Sequence, residues 1–378
     1  MAAAEIHENE VALNNGGRLG HLTLDHPAAL NATSLDMIEA LRDALTRWER
    51  DPDVQAVLID AVGDKAFCAG GDIVNLHRAI TGEIAADYPA RFFTEEYRLC
   101  HDLHRMRTPC IAWGHGIVMG GGCGLFSGAS HRVVTETTRL AMPEIKIGLF
   151  PDCAATWFFN RLPSYLGYFV ALTGASLNAA DCLFAGLAEH AIAHAEKAAV
   201  LEALVTADWQ GEAHATVTEA LVAADKRAPG AVLGDSRLLQ HAAVIRAATA
   251  GGDIAAIVER LTALAGVDDA WLAECGNNLV QGCPVTAHLI DRQLRDGRYL
   301  SLREAVQREL AMALACCAHV DFPEGVRALL VDKDKTPQWR FPSVADVPAA
   351  YVDAHFQAAW TGAHPLANLA DTPTVRPN

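Results

Sequence analysis

Two adjoining runs decide the fold: W-G-H-G-I-V-M-G-G-G-C-G-L-F-S-G at Trp113–Gly128 and A-M-P-E-I-K-I-G-L-F-P-D at Ala141–Asp152. The first run holds seven glycines and no Asp, Glu, Lys or Arg. Because a glycine inside a helix costs about 1 kcal/mol against alanine, helix propensity does not explain this composition. Gly120–Gly122 follows a strand-like apolar run and precedes a segment that can form a helix. Such a turn leaves main-chain N–H groups unpaired at the positive end of a helix dipole, which predicts a site for a phosphate or a catalytic oxyanion.

Two acidic residues lie in the apolar second run. Glu144 follows Pro143, and Asp152 follows Pro151. Carboxyl groups in such surroundings are partly desolvated, which favours a raised pKa and acid–base catalysis. The pattern alone is equally consistent with two loop carboxylates at the ends of strands. The glycine run of the first stretch matches neither the dinucleotide fingerprint nor the phosphate-binding P-loop.

The composition limits the classes of protein to consider. The 378 residues, 51% of them hydrophobic, permit a large core in one domain or two. The formal net charge of −16 argues against nucleic acid or an anionic membrane as a partner. Met1–Glu10 shows no signal-peptide pattern, so a cytoplasmic location is expected. The ten cysteines have no zinc-binding spacing, so we expect reduced, buried thiols and no metal.

Strand and helix signals alternate through the first half of the chain. Strands are predicted at 21–24, 54–59, 110–113 and 131–135, and helices after an N-cap at Thr33 or Ser34 and over Phe92–Met106. This alternation predicts an α/β fold with a parallel-rich sheet covered by helices. Further helices are predicted at 235–249, 253–264, 267–273, 284–295 and 301–318. A change of composition near Pro229-Gly230 separates a core at 1–230 from a helical C-terminal region at 231–378.

Several motifs, in the right order, resemble one family. K-A-F-C-A-G-G-D at Lys65–Asp72, H-G-I-V-M-G-G-G at His115–Gly122 and D-F-P-E-G-V-R-A-L-L-V-D-K-D at Asp321–Asp334 look like segments of the crotonase (enoyl-CoA hydratase/isomerase) superfamily. The second run, with F-F-T-E-E-Y at Phe92–Tyr97, is similar to the 3-hydroxyisobutyryl-CoA hydrolase branch. The resemblance implies a spiral of strand-strand-helix turns that binds a CoA thioester in the core at 1–230. It implies no cofactor beyond the coenzyme A of the substrate.

The resemblance also implies catalytic roles for four residues. The main-chain N–H groups of Gly71 and Gly121 would form the oxyanion hole. Glu144 would be either the base that activates water or the nucleophile that forms a mixed anhydride. Asp152 would bind the 3-hydroxyl of the substrate or help to protonate the departing thiolate. Hydratases of the family carry a glutamate where this chain has Gly124, so one of the two acids needed to add water is missing.

Four further residues are expected to bind the substrate, namely Lys65, Phe67, Ala69 and Glu96. Lys65 would contact phosphate. Glu96 matches a third acid of the branch, although it could equally be one end of a solvated Glu95-Glu96 pair. The chain departs from the branch at Ala154-Ala155, where a glycine pair is usual, and at Lys146. The charge of Lys146 is expected to lower the pKa of Glu144.

The expected activity is hydrolysis of a 3-hydroxyacyl-CoA thioester, with 3-hydroxyisobutyryl-CoA of valine breakdown as the first choice of substrate. Two alternatives stay open. One is an enoyl-CoA isomerase or hydratase of the same superfamily, in which an isomerase would use Glu144 as its single acid. The other is a non-catalytic acyl-CoA-binding protein. The sequence leaves open whether the chain forms a homo-oligomer.

Overall fold

The computed structural model describes residues 4–225, 233–358 and 360–370. Within these ranges the strands are β1 (Glu5–Ala12), β2 (Arg18–Asp25), β3 (Val54–Ala61), β4 (Ala66–Cys68), β5 (Cys110–Gly114), β6 (Ile117–Met119), β7 (His131–Val134), β8 (Arg139–Ala141) and β9 (His190–Ala191). Short 3₁₀ helices lie at Pro27–Ala29, Glu144–Ile147, His194–Glu196, Ala263–Gly266 and Val344–Asp346, and a π-helix at Arg327–Val331.

The α-helices of the same ranges lie between and after these strands. They are α1 (Leu35–Trp48), α2 (Ile73–Ile80), α3 (Tyr88–Leu103), α4 (Gly121–Gly128), α5 (Ala155–Phe159), α6 (Ser164–Thr173), α7 (Ala179–Ala185), α8 (Lys197–Thr206), α9 (Ala213–Asp225), α10 (Arg237–Gln240), α11 (Ala242–Thr249), α12 (Ile254–Thr262), α13 (Ala270–Val280), α14 (Pro284–Asp296), α15 (Leu302–Ala318), α16 (Asp321–Val326) and α17 (Ala349–Ala354). None of the helices in the described ranges is long and apolar enough to cross a membrane.

The strands form two sheets that the chain visits in turn. The large sheet has the order β1-β2-β3-β5-β7-β9, and the small sheet has the order β4-β6-β8. Strand β1 pairs antiparallel with β2, and the later pairs are parallel. Because β3, β5 and β7 are each followed by a strand of the small sheet and then by one or more helices, the chain winds as a spiral. The predicted α/β spiral of strand-strand-helix turns is therefore confirmed.

Both faces of the large sheet are buried. Alternate residues of a strand point to opposite faces, so Ile59 joins one hydrophobic cluster and Leu58 the other. Helices α8 and α9 cover the second cluster, through Leu204 and Leu221. The first cluster also contains Leu310 of α15, so the C-terminal helices share a core with the first half of the chain. The predicted boundary near Pro229-Gly230 lies outside the described residues, and its position stays a prediction.

Most predicted elements are present with shifted bounds. Ser34, rather than Thr33, caps α1, because its hydroxyl accepts a hydrogen bond from Met37 N. Helix α3 begins at Tyr88, earlier than predicted, since Pro89 is compatible with the first turn of a helix. The helix predicted at 235–249 is split into α10 and α11, and the one predicted at 267–273 runs instead from 270 to 280. Strand β1 was not predicted, because its sequence is mostly polar.

Candidate active site

The two predicted oxyanion glycines lie side by side where neighbouring strands of the small sheet end. Gly71 follows β4, and Gly121 begins α4 just after β6. The turn between β6 and α4 needs glycine, because Gly120 has a φ of 55° in the left-handed region. A methyl group built on Gly121 would lie 3.3 Å from Gly71 N. Neither N–H group has a main-chain acceptor among the described residues, so both can donate to a bound oxygen.

Helix α3 closes over this pair of N–H groups. A Cβ atom on Gly71 would lie 2.6 Å from Phe92 Cζ. A Cβ atom on Gly121 would lie 2.4 Å from Glu96 Oε1. Both distances are far below ordinary van der Waals contact, so a side chain at either position would force the Phe92 ring or the Glu96 carboxyl group to move. The carboxyl group of Glu96 therefore lies directly against the pair.

Both predicted catalytic acids are buried, with 5% exposure for Glu144 and 4% for Asp152. Glu144 lies beside the turn at Gly120, and Asp152 lies next to Glu96. Glu144 begins the 3₁₀ helix Glu144–Ile147, which ends at Gly148 with a φ of 71°. Its Oε1 atom lies 3.2 Å from the Cβ position of Gly120, and its Oε2 atom has no hydrogen-bond partner among the described residues. A buried carboxyl oxygen without a partner is costly, which is typical of a group that waits for a ligand.

Burial raises the pKa of all three carboxyl groups at the site, and repulsion by neighbouring carboxylates adds to it for Glu144 and Glu96. For Glu144 burial is the largest cause, and the charges of Asp152 and Glu96 add to it. For Glu96 burial again dominates, followed by the charge of Asp152. Burial raises the pKa of Asp152 to about 6, although hydrogen bonds from the Tyr97 hydroxyl and the Cys153 thiol oppose the change. The expectation of desolvated carboxyls with raised pKa values is thus confirmed.

The interpretation of Glu96 as part of a solvated pair is wrong. Glu96 is 5% exposed and faces inward, whereas Glu95 turns outward and pairs with Arg42. The possible ligand atoms of Glu96, Asp152 and Cys153 lie within 4.8 Å of one another, a spacing that a metal ion could use. The absence of a metal from the working site stays a prediction.

The predicted effect of Lys146 on Glu144 is also wrong. The charges that act on Lys146 are those of Glu274 and Cys275, and Lys146 is not among the groups that shift the pKa of Glu144. Burial instead lowers the pKa of Lys146 itself. The 3₁₀ turn explains the difference, because it directs consecutive side chains to different sides of the chain.

Two residues that the sequence analysis did not select also contact the acids. The hydroxyl of Tyr97 donates a hydrogen bond to Asp152 Oδ2 at 2.7 Å. The thiol of Cys153 lies within 4.8 Å of the carboxyl groups of both Asp152 and Glu96. Tyr97 is four residues after the buried Phe93 and next to Glu96, so helical periodicity could have placed it on the inner face of α3. No local signal indicated Cys153.

Gly124 is packed too tightly to hold the glutamate of a hydratase. A Cβ atom there would lie 2.5 Å from Cys153 Cβ and 2.8 Å from Cys100 Sγ. The predicted lack of a second acid at this position therefore has a structural basis, because the space is already filled.

The remaining predicted substrate-binding residues lie shortly before Gly71 in the chain and differ in their exposure. Lys65 is exposed in the turn before β4, and Ala69 is partly exposed just before the glycine pair. The ring of Phe67 is fully buried against Phe126, and its N–H donates to a main-chain carbonyl. The contacts of all three residues with a substrate stay predictions.

The fold and the paired glycine turns define a class of protein. The sequence model of the enoyl-CoA hydratase/isomerase family matches residues 19–356, so this chain belongs to that family, the crotonase superfamily that its motifs resemble. A mitochondrial 3-hydroxyisobutyryl-CoA hydrolase of Xenopus tropicalis is 35% identical over 358 residues, which cover 94% of this chain and 91% of the relative. The Homo sapiens protein of the same name is 36% identical over 357 residues, covering 92% and 89%. The resemblance to this branch is thereby confirmed.

Solved structures of the superfamily share the fold. A carnitinyl-CoA dehydratase from Mycobacterium thermoresistibile superposes with a TM-score of 0.81 at 30% identity, covering 93% of this chain and 96% of that one. An enoyl-CoA hydratase from Rhodobacter sphaeroides 2.4.1 has a TM-score of 0.79 at 32% identity, covering 93% and 97%. These two solved structures are named for removing or adding water, whereas the two relatives described above are named for hydrolysis.

Proposed function

We propose that this protein hydrolyses the thioester of a 3-hydroxyacyl-CoA, with 3-hydroxyisobutyryl-CoA as its preferred substrate. The products are the free 3-hydroxy acid and coenzyme A. The observation that carries the proposal is a group of buried carboxyls at the paired glycines. Glu144 lies against Gly120, and Asp152 lies next to Glu96, whose carboxyl group lies against Gly71 and Gly121. The names of the curated relatives support the same activity.

The proposed reaction uses the two glycines and the two acids together. The thioester oxygen accepts hydrogen bonds from the N–H groups of Gly71 and Gly121, which stabilise the negative charge formed when the carbonyl carbon is attacked. Ionised Glu144 either takes a proton from the attacking water or attacks the carbon itself, and the raised pKa makes it a stronger base. The C–S bond then breaks and the thiolate takes a proton. If Glu144 was the nucleophile, water next hydrolyses the mixed anhydride, which releases the 3-hydroxy acid and restores Glu144. Asp152 binds the 3-hydroxyl or supplies that proton.

Addition of water to an enoyl-CoA is the less favourable alternative, for a specific reason. It needs a second acid, and a side chain at Gly124 would overlap Cys153 and Cys100. Glu96 is a third buried carboxyl group in the neighbourhood, but the charge of Asp152 and burial both favour its neutral form. The three acids are better suited to a substrate that has its own hydroxyl group to pair with one of them.

The proposal is tested by measuring release of free coenzyme A with a thiol reagent over a panel of acyl-CoA thioesters. We expect 3-hydroxyisobutyryl-CoA to react fastest, and isobutyryl-CoA to react more slowly by up to roughly 10⁴-fold, because it leaves a buried carboxyl unpaired. Glu144→Gln should lower kcat by roughly 10²–10⁴-fold. The matched control is Glu95→Gln, whose carboxylate pairs with Arg42 outside the site and should not affect turnover.

Other outcomes would select the alternatives. Loss of enoyl absorbance from crotonyl-CoA without release of coenzyme A would indicate a hydratase, and a shift of a double bond would indicate an isomerase. Binding of acyl-CoA without turnover would indicate a binding protein.

Further parts of the proposal concern the cellular setting. We place the reaction in valine catabolism and in the cytoplasm, with no cofactor beyond the coenzyme A of the substrate. The curated relatives carry the word mitochondrial in their names. Fractionation of the source cells, followed by detection of the protein, distinguishes the two locations. Sedimentation of the purified protein decides whether it forms a homo-oligomer.

A further inference from the structure

We propose that Glu309 and Gln293, two buried residues of the C-terminal helices, are positioning residues that hold the loop carrying Asp152. The inference rests on the proposed function in one respect only, namely that Asp152 binds the 3-hydroxyl group of the substrate or protonates the thiolate. Neither residue belongs to a motif of the sequence, and neither contacts the glycine pair.

The two side chains hold the main chain on both sides of Asp152. On its N-terminal side, Gln293 Nε2 of α14 donates to Pro151 O at 2.6 Å. On its C-terminal side, Glu309 of α15 accepts from Ala154 N at 2.7 Å and from Thr156 N at 2.8 Å, one bond to each carboxyl oxygen. Gln293 Nε2 also donates to Thr156 Oγ1 at 2.8 Å, which joins the two sets of contacts.

The loop between these contacts has a conformation that needs support. Cys153 and Ala154 have φ values of 54° and 72°, in the left-handed region that residues with a side chain adopt at a cost. Such a conformation persists only where the surroundings hold it. Glu309 and Gln293 are 0% and 1% exposed, so their hydrogen bonds form without competition from water.

The arrangement favours a role in placing Asp152 rather than in stability alone. Asp152 is the residue between Pro151, which Gln293 binds, and the strained turn, which Glu309 binds. The charge of Asp152 is among the causes that raise the pKa of Glu309, so the two carboxyl groups lie near each other. A displaced loop would move Asp152 away from the hydroxyl of Tyr97, which lies on α3. Glu144 and the glycine turns lie on other segments and would keep their positions.

The test compares Glu309→Ala, Glu309→Gln and Gln293→Met with the wild type. We measure kcat and KM for 3-hydroxyisobutyryl-CoA, and the preference for this substrate over isobutyryl-CoA. Since a misplacement of about 1 Å at a reacting group costs about 10²-fold, Glu309→Ala should lower kcat by about that factor with little change in KM. Its preference ratio should fall to that of Asp152→Ala. Glu309→Gln keeps one acceptor oxygen, so its kcat and its preference ratio should lie between those of the wild type and Glu309→Ala. Gln293→Met removes the hydrogen bond to Pro151 O and should also lower the preference ratio.

A matched control separates positioning from loss of stability. Asp181 is another fully buried carboxylate, which accepts from Leu238 N at 2.8 Å and from Ser236 Oγ at 3.0 Å at the start of α10. Asp181→Ala should lower the melting temperature without changing the preference ratio. If Glu309→Ala and Gln293→Met behave in the same way as this control, the proposal is overturned. If Glu309→Ala does not fold, the preference ratios of Glu309→Gln and Gln293→Met decide whether the proposal holds.

A second measurement needs no substrate. In native-state hydrogen exchange, the peptide that contains the amides of Ala154 and Thr156 should be protected in the wild type and exchange at least about tenfold faster in the Glu309 variants. Unchanged exchange in those variants would refute the contacts whatever the activity. If the wild type releases no coenzyme A, the proposed function fails, and exchange still decides whether Glu309 holds the loop.

Discussion

At the scale of single residues, the site brings three buried carboxyl groups together with no cation among the described residues to balance their charge. The neighbours that shift the pKa of Glu96, Glu144 and Asp152 are other carboxyl groups and hydrogen-bond donors, and none of them is a cation. Burying such groups costs stability, and the cost is usually tolerated where function requires it. Part of this cost should be recovered when a carboxyl group is replaced by a neutral side chain of the same shape.

Asp152→Asn should therefore increase the free energy of unfolding at pH 8 and change it little at pH 4. The pKa of Asp152 is about 6 in the folded protein, against an ordinary value of 3.8. As the pH rises, the folded state keeps this proton up to a higher pH than the unfolded state does. The contribution of Asp152 to the free energy of unfolding is therefore fully present below pH 4 and is lost as the pH rises through 6. A pKa difference of about 2 corresponds to about 3 kcal/mol. Urea unfolding at both pH values measures the effect.

The control for this experiment is Asp43→Asn, whose side chain is 69% exposed on α1. It should change stability only slightly at either pH. An Asp152→Asn variant with the same small effect at pH 4 and pH 8 would show that folding does not raise the pKa of Asp152.

At the scale of elements, the short helix α5 begins with two alanines in different conformations. Ala154 is the left-handed N-cap with a φ of 72°, and Ala155 is the first residue of the helix. A family glycine at 154 would adopt this conformation without strain, whereas a glycine at 155 would only lose helix propensity. Replacing the usual glycine pair by Ala154 and Ala155 therefore has opposite effects on stability at the two positions.

Ala154→Gly should stabilise the protein by about 1 kcal/mol, because it removes the clash of a left-handed alanine. Ala155→Gly should destabilise it by about 0.5–1 kcal/mol. Urea unfolding under identical conditions measures the free energy of unfolding of both variants and the wild type, and each variant serves as the control for the other. Changes of the same sign in both variants would contradict the conformation assigned to Ala154.

At the scale of the whole molecule, the two halves of the chain share one hydrophobic cluster. This cluster contains Leu22 and Ile59 of the large sheet together with Leu310 and Met312 of α15. Residues 364–370 add to it, since Leu366 is buried and Arg98 of α3 binds the carbonyl of Pro365. Helices that share a core of this kind are expected to unfold with the sheet they cover.

We therefore expect β3 and α15 to lose protection from hydrogen exchange at the same urea concentration. The measurement is exchange followed by mass spectrometry, with peptides from the exposed edge strand β1 as a reference that opens earlier. Two well-separated midpoints for β3 and α15 would instead mean that the core at 1–230 and the region at 231–378 fold independently.

Local patterns determined a large part of this protein. The glycine turn before α4, the strands β2, β3, β5 and β7 of the large sheet, and the desolvation of Glu144 and Asp152 follow from composition and periodicity over short stretches. The spiral and the site residues came from motifs that resemble a family. Strand β1 was missed because a polar edge strand lacks the alternation that marks a half-buried one.

Only the tertiary structure decided which side chains meet. The sequence did not decide whether Glu96 lies in the site or in the solvent. In the structure α3 packs on α4, and Glu96 is buried against Gly121. Gly124 is too crowded for a carboxylate because Cys100 and Cys153 approach it from other elements. Glu309 reaches Ala154 across 155 residues of chain. Such contacts depend on the path of the whole spiral, and no pattern within one segment contains that information.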